Sequence, residues 1–162
     1  MAKTLILTSA LLTALPVLAQ ESVGTVTATV GGEERTYVIT QGGAEPTSSW
    51  RRDGGEVLVD IVAHPDRTPR EDGPMLRLQF AVTGMGPTAE PAASRVTYVA
   101  EGEAPLLTGE GSSEVSLTAF GMTDGTLSLA GNFASQLMDE QSEALADLAI
   151  EGDFQASLRQ SN

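Results

Sequence analysis

Along most of this chain, apolar side chains fall on every second residue. Val26, Ala28 and Val30 alternate with Thr25, Thr27 and Thr29, the period of a strand with one face in a core and the other in water. Gly31-Gly32 follows as a turn able to take positive φ, and residues 35–40 (RTYVIT) read as the returning strand. Val57, Val59 and Ile61 mark a third strand that ends near His64-Pro65. Leu76, Leu78, Phe80 and Val82 mark a fourth, opposed by Arg77 and Gln79. Val96, Tyr98 and Ala100 predict a fifth strand, and Val115, Leu117 and Ala119 a sixth. Thr123-Asp124-Gly125 is a hairpin signal leading into the last two.

Those two strands repeat one pattern. Leu127, Leu129, Gly131, Phe133, Ser135 and Leu137 match Leu148, Ile150, Gly152, Phe154, Ala156 and Leu158, with Gly131-Asn132-Phe133 answering Gly152-Asp153-Phe154. The aligned residues share one strand face, so the repeat reads as two core strands solving the same packing problem, with glycine making room for a neighbour. Between the two copies, residues 138–147 place Met138, Leu145 and Leu148 near one side and Asp139, Glu143 and Asp147 at i, i+4, i+8 on another. This predicts a short helix. The expected fold is therefore all-β: an antiparallel β-sandwich of about eight strands, or alternatively a closed β-barrel, with one short helix before the last strand. Residues 41–55, 64–74 and 84–94 are expected as the loops long enough to build a site.

The front of the chain departs from this pattern. Residues 1–19 carry one cation, Lys3, then a Leu-rich run broken by Pro16 and closed by Val17-Leu18-Ala19. That is the layout of a secretory signal peptide cleaved after Ala19. Its apolar run is too short to span a bilayer as a helix, for which about 20 residues are needed. The expectation is a single domain over residues 20–162, periplasmic or secreted, without a membrane anchor. The chain has no cysteine, so it holds no disulfide and supports no thiol chemistry.

Charge narrows the partners. The 162 residues carry 22 acids and a formal net charge of −13, or −14 once Lys3 is removed. A field of that sign repels nucleic acid. Transition-metal chemistry lacks ligands, since His64 is the sole histidine. No G-x-S-x-G elbow and no calcium-loop pattern occurs. His64, at a strand end, is expected to face solvent. Asp60 falls between Leu58 and Val62, on what is expected to be the outer face of its strand.

One segment stands apart. Trp50-Arg51-Arg52 joins the only tryptophan to the densest positive charge of an acidic chain, just before the Asp53-Gly54-Gly55 turn. Indole and guanidinium groups can together stack on a ring and grip a carboxylate or sulfate. With Arg67 and Arg70 from the next long loop, these residues make the candidate ligand site; the plainer reading has Trp50 plugging an end of the core. The sequence thus points to an exported, non-catalytic binding or structural interaction module. Its expected partner is an unknown protein or an acidic small-molecule or glycan ligand, with neither cofactor nor metal. The alternatives are a small carrier barrel for a hydrophobic ligand and a carboxylate-dependent hydrolase or its accessory subunit.

Overall fold

The computed structural model describes residues 20–43, 46–65, 73–139 and 145–160. The expected antiparallel all-β architecture is present, with nine strands among the described residues. β1 (Glu21–Val30) and β2 (Glu33–Gln41) form a hairpin across Gly31 and Gly32, both at positive φ. β3 (Ser49–Asp53), β4 (Glu56–His64), β5 (Met75–Thr83), β6 (Glu90–Val99), β7 (Leu106–Thr123), β8 (Thr126–Asp139) and β9 (Leu145–Arg159) follow as a meander. The last strand then pairs with the first, giving the sheet order β2-β1-β9-β8-β7-β6-β5-β4-β3.

This sheet rolls over until its ends meet. β2 pairs with β4 through Val38↔His64 and Ile39↔Ala63. Across the interior, the Phe80 ring on β5 lies 5.9 Å from the Phe154 ring on β9. Those strands are four steps apart in sheet order, roughly 19 Å in a flat sheet. The two packed layers are therefore opposite walls of one rolled sheet. Between them Trp50, Tyr37, Phe80, Phe120, Phe133 and Phe154, each at most 5% exposed, merge with the inward aliphatic residues into one cluster. Full burial of each large apolar side chain contributes about 1.5–3 kcal/mol.

The internal repeat has a packing explanation. β8 and β9 pair so that Gly131 faces Phe154 and Phe133 faces Gly152. Gly131 leaves space for the other copy's ring, since a Cβ there would come 2.9 Å from Phe154, whereas Gly152 lets the β1 backbone at Thr27 and Ala28 approach.

Where backbone pairing stops, hydroxyls continue the ladder. Beside the β2–β4 contact, the Ser48 hydroxyl donates to the Val62 carbonyl at 3.0 Å and accepts from the Val62 N–H at 2.8 Å. Between β6 and β7, whose described register is Thr97↔Leu107 and Tyr98↔Leu106, Thr108 does the same for Val96, at 2.7 Å each way. Further along that seam, the Ser94 and Ser113 hydroxyls each donate to the other's carbonyl.

Three expectations are corrected. The helix over 138–147 is not formed at its ends: Met138 and Asp139 finish β8, Leu145 opens β9, and Met138 pairs with Leu145. Residues 140–144 lie outside the described residues. A helix of that length is marginal in isolation, whereas strand pairing engages Met138 with Leu107 on one side and Leu145 on the other. Among the described residues the sole helical element is a 3-10 turn at Gly86–Thr88. Second, residues 41–55 are not all loop, because Ser49–Asp53 pairs with β4. Third, His64 does not face solvent. It is 1% exposed, with Nδ1 3.4 Å from the Pro74 carbonyl.

Candidate functional site

The short strand β3 sets the position of the candidate residues. Strand alternation turns Trp50 inward, where its indole is 2% exposed and its N–H donates to the Leu158 carbonyl at 3.0 Å. The Gln41 side chain closes the same end, donating to the Arg159 carbonyl at 2.7 Å and accepting its N–H at 2.8 Å. Trp50 is thus the plug of the plainer reading, and its ring faces are taken up by the core. Arg51 and Arg52, being adjacent in a strand, leave on opposite faces. Arg51 is outward and 3.5 Å from the Asp53 carboxylate, while the Arg52 guanidinium lies 3.5 Å from Met122 Sδ. The expected convergence of Trp50, Arg51 and Arg52 as a stacking-and-gripping unit is therefore not what the strand presents. Arg67 and Arg70 lie outside the described residues.

Register assembles a different group around Arg51. Ser49, Asp60, Gln79 and Arg95 form one cross-strand row over β3, β4, β5 and β6. Their outward side chains line, with Arg51 and Ala93, a surface depression of about 440 Å³. Asp60 is on the outer face, as expected. Arg77 grips its carboxylate with both Nε (2.8 Å) and an Nη (2.5 Å), and Gln79 donates to it at 3.3 Å. Bidentate pairing of this kind fixes both side chains and cancels the charge of Asp60 at the floor.

Arg95 differs from the other described arginines. Arg35 pairs with Glu33, Arg51 with Asp53, Arg77 with Asp60 and Arg159 with Glu21, and Arg52 rests on Met122. Among the described residues, exposed Arg95 has no such partner. Its strand is also irregular there. Between the pairs Gln79↔Arg95 and Ala81↔Ala92, Phe80 on β5 stands opposite two residues, Ala93 and Ser94, on β6. Ala93 takes φ +49 to make this bulge, a left-handed conformation costing about 1–2 kcal/mol for a residue with a Cβ. Bulges re-aim neighbouring side chains and concentrate near binding sites.

Neither Arg95 nor Gln79 stands out in the sequence as a site residue. Alternation marks Gln79 as outward, but nothing along the chain reveals that it stands beside Asp60 and Arg95. Among the described residues no group of three or more metal-ligating side chains converges. In comparisons with known proteins, the chain matches no family model and no curated protein.

Proposed function

We propose that this protein is an exported, non-catalytic binding module that works in the periplasm or outside the cell and presents the outer face of β3–β6 to its ligand. The observation carrying this reading is the depression lined by Arg51 and Arg95 on an otherwise strongly acidic chain. The leader-like pattern of residues 1–19 supports export. The rings and aliphatic side chains that fill the interior favour an external ligand over one carried inside.

Two measurements test it. N-terminal sequencing of the protein recovered outside the cytoplasm should begin at Gln20; retention of Met1 there overturns export. A thermal-shift screen of the trimmed protein against calcium, neutral and acidic oligosaccharides and fatty acids should raise Tm with the acidic class. A ligand binding only the folded state adds about 2.7 kcal/mol at a hundredfold excess over Kd. Turnover of any screened oligosaccharide would instead make the protein an enzyme.

A further inference from the structure

Resting on the binding-module reading, we infer that the β3–β6 depression takes an acidic oligosaccharide, with one carboxylate at Arg51, another at Arg95 and a sugar ring between. The site has the three chemistries such a ligand needs. Arg95 on β6 and Arg51 on β3 are cations at its two flanks, and β3 to β6 covers three inter-strand steps, roughly 14 Å. That span is too wide for one small carboxylate to bridge and suits acidic groups on separate sugar units. Leu58 and Ala81 form a narrow apolar strip for the C–H face of a ring. Ser49 and Gln79 offer hydrogen bonds to hydroxyls, and Asp60 is held by Arg77 with its charge compensated.

Arg95 supplies most of the attraction. Engaging it breaks no existing ion pair, whereas Arg51 must share its charge with Asp53. The bulge at Ala93 and Ser94 is locked from behind, because Ser94 is tied to Ser113 on β7. The guanidinium is thus mounted on a fixed strand kink rather than a loose loop.

The test is titration of the trimmed protein with trigalacturonate, galacturonate and neutral maltotriose at one ionic strength, followed by NMR of backbone and side-chain N–H groups. Trigalacturonate should perturb Gln79 and Arg95 and bind at least tenfold more tightly than galacturonate, with maltotriose silent. Arg95→Ala should weaken trigalacturonate at least tenfold, and Arg95→Lys by less. Arg52→Ala, on the opposite face of β3, should bind as the parent does. Equal affinity for monomer and trimer overturns the spanning geometry, and an unaffected Arg95→Ala places the site elsewhere. If trigalacturonate fails while a neutral sugar, fatty acid or calcium raises Tm, the ligand class falls and the binding-module reading stands. Arg95 is exposed, so its variants should fold, and an unchanged Tm without ligand checks this.

Discussion

At the scale of single residues, the tightest constraints come from glycines in the middle of strands. A methyl group on Gly152 would sit 2.3 Å from the Thr27 carbonyl oxygen and 2.8 Å from the Ala28 Cα. Both atoms belong to backbone in the neighbouring strand, which cannot retreat without breaking the β1–β9 ladder. Gly152→Ala is therefore expected to destabilise the fold by about 1–3 kcal/mol, the usual cost of overpacking, read as a lower urea midpoint. Gly121 has no atom within 4 Å of its added Cβ, so Gly121→Ala should stay within about 0.5 kcal/mol of the parent. Equal losses at both positions would remove the close-approach account. Both glycines of the sequence repeat thus sit where a neighbour comes too close for a Cβ, Gly131 against Ser116 and the Phe154 ring and Gly152 against β1.

At the scale of elements, the notable devices are the hydroxyls that stand in for strand pairing. Ser48 is 1% exposed and serves both the N–H and the carbonyl of Val62. Ser48→Ala leaves those two groups buried without that partner, and an unsatisfied buried group costs about 1–3 kcal/mol. The expected result is a loss of at least about 2 kcal/mol in denaturant unfolding, with Ser48→Thr retaining part of it. A loss no larger than for an exposed serine such as Ser128 would show that the seam does not depend on it. Most strands were legible in the sequence, because Val26 to Val30, Leu76 to Val82 and Leu127 to Leu137 alternate cleanly. β3 was not, since its five residues contain one apolar side chain, Trp50, and a single residue has no period. Residues 138–147 look helical in sequence because Met138, Leu145 and Leu148 satisfy helical spacing locally, whereas in the fold Met138 pairs with Leu145 and Leu148 with Leu137 across the β8–β9 ladder. The candidate site was half legible. Arg51 stood out by composition, but Arg95 joins it only through a register set by three intervening ladders.

At the scale of the whole molecule, the opposing walls touch through titratable groups as well as rings. Burial, and then the neighbouring Tyr98 phenol, push the Tyr37 hydroxyl up to about 12, against about 10 in an unfolded chain. The folded state thus holds this proton more firmly than the unfolded chain does. Its contribution is complete below pH 10 and disappears as pH climbs toward 12, on the order of 2 kcal/mol. Tm should accordingly fall between pH 10 and 12 in the parent and more shallowly in Tyr37→Phe; parallel curves would show that Tyr37 is not responsible. The β1–β9 ladder, Gly24↔Ala156 through Val30↔Ile150, has a consequence in time. Among the described strands the first in the chain needs the last as its neighbour, so the wall is incomplete until all the strands between them are present. Pairing of strands so far apart in the chain makes closure of the wall a slow, late step that follows the formation of the local hairpins.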